Sequence, residues 1–332
     1  AVEHIRRPVE STGRRDEKSS RSLALVLVGL GVALVAALAI PLGDASSGQG
    51  IQGDQGLDHG RIGLWKDSLP AVGERPVLRG AIEVTDLTFT YPGASRPALR
   101  SVSFTLARGQ KLGLVGGVGS GKSTLLALLL RYYDPPRGTV RIDGHDLLDL
   151  HPEVVRALFA LAPQEPFLFS DTVAANVAFA RADADAATID AAVAGAALDQ
   201  DLPQLPKGLA TIVGERGVTL SGGQKQRVSL ARALLSDRPG LLLDDTLSAV
   251  DPTTERRILT GLARERRGRT IVVATHRLSV TADADLVLVL DDGEVVERGD
   301  HRSLLQAGGR YAAAWRRQSE AHALESEPEG QP

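Results

Sequence analysis

The sequence predicts a three-layer α/β fold: a mostly parallel sheet covered by helices, with antiparallel strands at one edge and a helical insertion. Three short apolar runs, KLGLVG, GLLLDD and TIVVAT (111–116, 240–245 and 270–275), have the length of strands buried on both faces. A glycine-rich turn follows the first run, and residues 153–236 are expected to be mostly helical. Buried strands that alternate with helices are typical of α/β domains.

Composition limits the classes of protein to which the chain can belong. Its 332 residues suffice for one or two domains, and 43% hydrophobic with 24% charged residues is typical of a globular protein. A formal net charge of −3 argues against bulk nucleic-acid binding, so no nucleic-acid partner is expected. The chain has no cysteine, which excludes disulfides and thiolate metal sites. It also has no methionine, even at position 1, which suggests a fragment or a processed chain.

The N-terminal part of the chain differs from the rest. Residues 1–21 are polar and basic, whereas residues 22–43 (SLALVLVGLGVALVAALAIPLG) carry no charge. An uncharged apolar run of this length can cross a bilayer, so a transmembrane helix is expected at 22–43, with a signal peptide as the alternative. The preceding basic residues place its N-terminus in the cytoplasm, and one crossing would then put all later residues outside the cell. Residues 44–79 are rich in Gly, Asp and Gln, which predicts a flexible linker.

The folded domain is expected to span residues 80–318. AIEVTDLTFTY (81–91) and SVSFTLARG (101–109) predict a pair of strands, because apolar and polar residues partly alternate in them. DLVLVLDDGEVVERG (285–299) predicts a hairpin that turns at its Asp-Gly step. The tail at 319–332 is acidic and contains proline, which predicts disorder.

The glycine-rich turn GGVGSGKS (116–123) fits the pattern G-x-x-x-x-G-K-[S/T] and precedes a predicted helix at 122–133. Its glycines let the backbone wrap around phosphates, and its N–H groups attract negative charge together with the helix N-terminus. Lys122 is expected to reach the β and γ phosphates, and Ser123 to ligate Mg²⁺. The predicted nucleotide contacts are Gly116, Gly117, Val118, Gly119, Ser120, Gly121, Lys122, Ser123 and Thr124. The turn therefore predicts a P-loop nucleoside triphosphatase fold that binds ATP with Mg²⁺.

The run LLLDD ends in two adjacent carboxylates, Asp244 and Asp245. A strand that ends in Asp244 places a carboxylate beside the phosphate loop. We therefore expect Asp244 to hold Mg²⁺, directly or through water.

The stretch LSGGQKQR (220–227) precedes a helical pattern and supplies a second helix start with small residues. Bare N–H groups at such a start can bind a second phosphate. One chain with two phosphate-binding helix starts but one phosphate loop predicts a dimer in which each chain covers the nucleotide of the other.

With these motifs, residues 80–318 resemble the nucleotide-binding domain of ATP-binding cassette (ABC) transporters. The resemblance rests on FTYPG, the phosphate loop, LAPQEPFLF, LSGGQ, LLLDD, SAVD and ATHR, which follow one another in the family's order. It implies that Tyr91 stacks on adenine, a contact open to any flat aromatic face. It also implies that Gln164 contacts Mg²⁺ or the attacking water, and that His276 contacts the γ-phosphate. Further nucleotide contacts are implied at Ser221, Gly222, Gly223, Gln224 and Asp251, the last in a loop that crosses the dimer. The implied catalytic residues are Lys122, Gln164, Asp245 and His276, and the implied Mg²⁺ ligands are Ser123, Gln164 and Asp244.

The resemblance is strongest to exporters, and it includes one departure in the catalytic pair. TIVGERG (211–217) and PQEPFLFSDTVAANVAF (163–179) are similar to exporter sequences, but Asp245 stands where the family usually has glutamate. Aspartate is one methylene shorter, and a shift of about 1 Å in a catalytic group can lower a rate by about 10²-fold. A weakened hydrolytic site is therefore expected, as in one half of a heterodimeric exporter, although a small shift of backbone or water would restore normal activity.

A family half-exporter carries several membrane helices before this domain, and the sequence offers at most one. A truncated or internally deleted half-transporter would account for this difference. The expected partners are a second ABC subunit (a heterodimer is favoured and a homodimer possible), a transporter membrane domain and the membrane. The expected location is the inner (plasma) membrane, with the ATP-binding domain on its cytoplasmic face. The alternatives are a regulatory or remnant nucleotide-binding module with negligible turnover, and a soluble ABC ATPase outside transport.

Overall fold

The structure is a computed structural model that describes residues 78–214, 217–248, 250–265 and 268–326, all within the compact unit Glu74–Pro332. The basic segment 1–21, the predicted transmembrane helix and nearly all of the predicted linker lie outside these residues. Within the described part of the chain, no helix has both the length and the apolar character needed to span a bilayer.

The described chain contains ten strands and eight α-helices. The strands are β1 (Ile82–Phe89), β2 (Leu99–Leu106), β3 (Lys111–Gly116), β4 (Val140–Ile142), β5 (His145–Asp146), β6 (Phe159–Ala162), β7 (Gly240–Asp244), β8 (Thr270–Thr275), β9 (Leu286–Asp291) and β10 (Glu294–Gly299). The α-helices are α1 (Lys122–Leu129), α2 (Pro152–Leu158), α3 (Val173–Ala178), α4 (Ala186–Gly195), α5 (Gly222–Leu235), α6 (Pro252–Glu265), α7 (His301–Ala307) and α8 (Arg310–Ser326). Short 3-10 turns lie at Leu147–Asp149, Leu198–Gln200, Leu202–Gln204, Gly208–Ala210 and Leu278–Thr281.

Two sheets organise these elements. The larger one has the order β10-β9-β3-β8-β7-β6, in which all neighbours are parallel except the β9–β10 pair. The smaller one has the order β2-β1-β4-β5 and is antiparallel throughout. The mostly parallel sheet, the antiparallel edge and the hairpin between β9 and β10 confirm the expected architecture. The carboxyl ends of the five parallel strands meet at one edge, where loops can gather functional groups.

Helices cover the larger sheet on both faces, as its continuous apolar strands require. Leu242 of β7 and Val272 of β8 pack on the face that also buries α1. Their neighbours Leu241 and Ile271 point to the other face, into a core shared with α3, α4, α5 and α6. These two cores with the sheet between them make the three layers, and the second core belongs to the predicted helical insertion.

Three local expectations differ from the structure. Residues 159–162 lie within the stretch expected to be helical, but they form β6 because they pair with β7 at the edge of the sheet. Helix α1 ends at Leu129, before the predicted end at 133, and Arg131 beyond it has a φ of 51°. Helix α8 continues to Ser326, so the first part of the acidic tail is helical where disorder was expected.

Candidate nucleotide-binding site

The phosphate loop connects β3 to α1 and depends on glycine backbone geometry. Gly119 and Gly121 have φ values of 81° and 102°, in the left-handed region that favours glycine. A Cβ atom on Gly121 would also lie 2.6 Å from Leu99 Cδ2 and 2.8 Å from the Ala98 carbonyl oxygen. Gly121 is the N-cap of α1, and no side chain caps the helix there. The first N–H groups of α1 therefore have no side-chain competitor for an anion.

A cavity of about 270 Å³ lies over this loop at the carboxyl ends of the central strands. It brings together most of the residues predicted to bind or hydrolyse ATP. Its lining consists of Ala98, Gly116, Val118, Gly119, Ser120, Gly121, Lys122, Ser123, Thr124, Gln164, Asp244, Asp245 and His276. Ala98 is the one lining residue without a sequence signal, because it contributes from the loop between β1 and β2 and has no polar side chain.

Lys122 lies across the loop with its ammonium group next to the backbone. Its Nζ donates to the carbonyl oxygens of Gly116 and Gly117, each at 2.8 Å. Burial lowers the pKa of Lys122, and the charges of Asp245 and Asp244 partly oppose that shift. A half-buried cation beside the free N–H groups of α1 is suited to a polyphosphate.

Asp244 ends β7 next to the phosphate loop, as predicted. The Ser123 hydroxyl donates to Asp244 Oδ1 at 3.1 Å, and the exposed Gln164 lines the same cavity. Burial is the main cause that raises the pKa of Asp244, so its negative charge is costly without a nearby cation. A hydroxyl, a carboxylate and an amide oxygen around one cavity are the hard oxygen donors that suit Mg²⁺.

Asp245 and His276 form a contact at the same strand edge. His276 Nδ1 lies 3.1 Å from Asp245 Oδ2 with hydrogen-bond geometry, and 2.8 Å from Oδ1. The shorter approach lacks the angle of a hydrogen bond, so Oδ1 is buried without a hydrogen-bond partner among the described residues. Asp245 has a φ of 46°, and its N–H donates to the Ala274 carbonyl oxygen at 2.8 Å. Aspartate is among the few residue types besides glycine that adopt such φ values with some frequency.

Tyr91 lies beside the phosphate loop but outside the lining of the cavity. Its hydroxyl donates to Thr124 Oγ1 at 3.1 Å. Its ring meets those of Phe89 and Tyr133 edge to face, with centroids 5.1 and 5.0 Å apart. Burial is the main cause that raises the pKa of Tyr91, which therefore stays neutral. Adenine stacking on this ring remains a prediction.

The LSGGQ stretch begins α5 away from the cavity. Ser221 accepts a hydrogen bond from the Gln224 backbone N–H at 3.2 Å, and the Gln224 side chain accepts one from the Ser221 N–H at 3.0 Å. This reciprocal pair is a capping box, which stabilises the helix start by itself. Ser221 and Gly222 are exposed, and no LSGGQ residue is in the lining described above.

Asp251 also lies outside the cavity. Its Oδ1 accepts hydrogen bonds from the N–H groups of Thr253 and Thr254, each at 3.0 Å, at the start of α6. Hydrogen bonding by Thr254 lowers the pKa of Asp251. The role of Asp251 within the chain is thus a helix cap, and its predicted contact with a partner chain stays a prediction.

Arg277 holds the SAVD loop and was not among the predicted site residues. Its guanidinium group donates to the carbonyl oxygens of Ser248 and Val250 at 2.9 and 2.7 Å, and to Glu255 at 2.7 Å. Arg277 directly follows His276, so these hydrogen bonds connect the SAVD loop to the backbone beside His276. Its position after the histidine in ATHR was a possible signal, but the long-range contacts cannot be inferred from one sequence.

Comparisons with known proteins identify the family that this chain resembles. The family model described as "ABC transporter" matches residues 99–248. The chain is 46% identical over 257 residues to an ATP-dependent lipid A-core flippase of Aromatoleum aromaticum, covering 77% of this chain and 41% of that protein. It is 43% identical over 239 residues to the probable multidrug resistance ABC transporter ATP-binding/permease protein YheI of Bacillus subtilis, covering 72% and 41%.

A solved structure of a bacterial Atm1-family ABC exporter with ATP bound has 38% sequence identity and a TM-score of 0.67. The match covers 81% of this chain and 46% of that one. The chain thus spans about two fifths of the length of the curated relatives described above.

Proposed function

Because the described part of this chain belongs to the ABC transporter family and is an ATPase domain, we propose that it powers an exporter and hydrolyses ATP slowly. The observation that carries the proposal is one cavity that contains Lys122, Asp244, Asp245 and His276. It combines a cation for phosphates, oxygen donors for Mg²⁺ and a carboxylate for water. Its catalytic carboxylate is the shorter one, which distinguishes this site from the usual family pattern.

Binding is assigned to the phosphate loop and its surroundings. The free N–H groups of α1 and Lys122 would hold the phosphates, and Tyr91 would support the base from beside Thr124. Ser123, Gln164 and Asp244 would hold Mg²⁺. The positive ion would offset the unfavourable burial of the Asp244 charge. Bound Mg²⁺ would neutralise negative charge on the β and γ phosphates.

Asp245 would orient the attacking water and accept its proton. His276 contacts Asp245, so it can orient that carboxylate and also reach toward the γ-phosphate. Oδ1 of Asp245 lies 2.8 Å from His276 Nδ1 but accepts no hydrogen bond from a described residue, so it would accept one from the attacking water. Because aspartate reaches about one bond less far than glutamate, water is held less closely and turnover falls.

The second phosphate-binding helix start leads to the proposal of a dimer. The exposed start of α5, with Ser221 and Gly222, would cover the nucleotide of a second ABC subunit, whose own helix start would cover the cavity of this chain. A heterodimer suits a weakened site best, because the intact LSGGQ stretch would complete a partner site that retains glutamate. A homodimer is the alternative.

The transport role follows from the relatives. A membrane domain, an inner-membrane location with this domain on the cytoplasmic side, and ATP-driven closure of two such domains are proposed by analogy with the exporters described above. The names of those relatives concern lipid A-core and drugs, and this chain takes from them only the general role of an exporter subunit.

The substitution Asp245→Glu tests the weakened site directly. Restoring the missing methylene is expected to raise kcat about tenfold or more, with an unchanged Kd for ATP, in steady-state assays of the full chain. A glutamate with positive φ is expected to lower stability by at most about 1–2 kcal/mol, which thermal unfolding checks. Asp245→Asn should lower kcat further, because the amide cannot accept the proton.

The matched control is Asp237→Glu, which adds the same methylene to an exposed aspartate just before β7 and should leave kcat unchanged. Equal rates for Asp245→Glu and the wild type, with a loss in Asp245→Asn, would show that aspartate already works normally. Turnover at background in all three proteins would favour the nucleotide-binding module with negligible turnover.

A further inference from the structure

The segment after β8 carries His276 but has little regular structure of its own. His276 and Arg277 lead into the 3-10 turn Leu278–Thr281, and the side chain of Arg277 does not cap this turn. The His276 side chain is 55% exposed, so few packing contacts fix its direction. The position of its ring therefore depends on what holds the backbone of residues 276–278.

Gln318 on α8 holds that backbone from a distant part of the sequence. Its Oε1 accepts a hydrogen bond from the Leu278 N–H at 2.9 Å, and its Nε2 donates to the His276 carbonyl oxygen at 2.7 Å. A side-chain amide has one acceptor oxygen and one donor nitrogen, so a single orientation satisfies both partners. Gln318 thus supplies the cap that the 3-10 turn lacks, and it joins that cap to His276.

Helix α8 is itself anchored to the same turn. Tyr311 lies seven residues before Gln318, two helical turns away on the same face, and is fully buried. Its hydroxyl lies 2.8 Å from His301 Nδ1 and 3.3 Å from Thr281 Oγ1. Thr281 in turn donates to the Leu278 carbonyl oxygen at 2.8 Å. Helix α8 therefore contacts the turn at its start through Gln318 and at its end through Tyr311. These contacts hold Gln318 close to His276.

We propose that Gln318 is a positioning residue that fixes the backbone of His276 and thereby directs its ring toward Asp245. The inference rests on the proposed function, because the value of the His276–Asp245 contact lies in hydrolysis. Gln318 is not in the lining of the nucleotide cavity, so we expect it to act on the reaction through its hydrogen bond to the His276 backbone. Loss of the two hydrogen bonds is expected to lower kcat and leave the KM for ATP nearly unchanged.

The test compares Gln318→Leu with the wild-type full chain. Leucine keeps the approximate size of the side chain but makes neither hydrogen bond, and a kcat about three- to tenfold lower is expected because a small misplacement slows catalysis. Gln318→Glu keeps an acceptor for Leu278 but loses the donor to His276, so an intermediate rate is expected. Ser319→Ala, on the exposed neighbouring position, is the matched control, and thermal unfolding shows whether each variant is folded.

Two further measurements separate positioning from a general structural role. In a His276→Ala background, Gln318→Leu should have no additional effect on kcat, since the residue through which it acts is gone. NMR of histidine-labelled protein without nucleotide should show a shifted or broadened His276 ring signal in Gln318→Leu and an unchanged one in Ser319→Ala. This spectrum does not depend on turnover, so it decides the inference even if the wild type proves to hydrolyse no ATP. A wild-type His276 signal in Gln318→Leu, or the same rate loss in the His276→Ala background, would overturn the proposal.

Discussion

Most residues predicted to contact nucleotide fall into two groups that differ in how their charged and polar side chains are satisfied, and Tyr91 and Gly117 belong to neither group. The cavity group lines one pocket and consists of Gly116, Val118, Gly119, Ser120, Gly121, Lys122, Ser123, Thr124, Gln164, Asp244, Asp245 and His276. The outer group lies away from it and consists of Ser221, Gly222, Gly223, Gln224 and Asp251.

Charged groups in the cavity group are held at a cost. Burial lowers the pKa of Lys122 and raises that of Asp244, so each charged form is disfavoured. Oδ1 of Asp245 is buried without a hydrogen bond from any described residue. A bound polyphosphate with its cation would relieve the costs at Lys122 and Asp244, and this supports the prediction of a ligand site within the single chain.

Residues of the outer group are already satisfied by their own helices. Ser221 and Gln224 cap α5 reciprocally, and hydrogen bonds at the start of α6 lower the pKa of Asp251. Their local hydrogen bonds are complete without a ligand, so the predicted nucleotide contacts would need a second chain. The two groups therefore lead to different expectations: the cavity group should bind nucleotide within one chain, and the outer group only together with a partner.

The largest expected difference between the groups concerns nucleotide affinity. Lys122→Ala removes the half-buried cation and should weaken ATP binding about 10²-fold, because hydrogen bonds to charged groups contribute about 1.5–3 kcal/mol each. Titration with a fluorescent ATP analogue at low protein concentration measures this effect. Lys225→Ala, at a partly buried lysine that follows Gln224 in α5, is the matched control and should keep the wild-type Kd. Similar losses of ATP affinity in both variants would show that the cavity group and the outer group do not differ in nucleotide binding.

The next effect separates binding from dimerisation. Gly222 has open space where a Cβ would lie, so Gly222→Asp should fold, and its charge favours the start of α5. The same charge repels a phosphate brought by a second chain. We expect wild-type affinity for ATP but loss of the ATP-dependent dimer in sedimentation experiments, where the protein is combined with its partner subunit or with itself.

Gly222→Asn, which has nearly the same shape without the charge, is the control and should dimerise better than Gly222→Asp. If Gly222→Asp dimerises like the wild type, the outer group has only a structural role.

The cavity group was predictable because its signals are local in sequence. The phosphate loop needs glycine at Gly121 for its backbone, and Asp244 follows an apolar strand that must end at the loop edge. The strand β6 was not predictable, since its apolar residues continue the pattern of α2 and become a strand only by pairing with β7. The contacts of Arg277 and Gln318 join residues far apart in sequence, and no periodic pattern of the sequence predicts them.

The smallest expected effect concerns the pH dependence of stability at Asp244 and Asp251. Burial raises the pKa of Asp244 in the folded chain, so its ionised form destabilises the protein above the ordinary carboxyl pKa of 3.8. Asp244→Asn removes that charge and should raise the melting temperature at pH 7 by about 2 °C or more, but not at pH 3. The lowered pKa of Asp251 has the opposite sign: its stabilisation is present above 3.8 and is lost as pH falls through the folded value.

Asp251→Asn is therefore the matched comparison and should lower the melting temperature at pH 7. Thermal unfolding of both variants at the two pH values, without nucleotide, measures the contrast. Adding ATP with Mg²⁺ should raise the melting temperature of the wild type more than that of Asp244→Asn. The carboxylate of the wild type can bind the cation, which offsets the unfavourable burial of its charge, and the neutral amide cannot do this. A fall in the melting temperature of Asp244→Asn at pH 7 would mean that the Asp244 charge of the wild type is already stabilised by other groups of the chain. The burial of Asp244 would then no longer support a bound cation in the cavity.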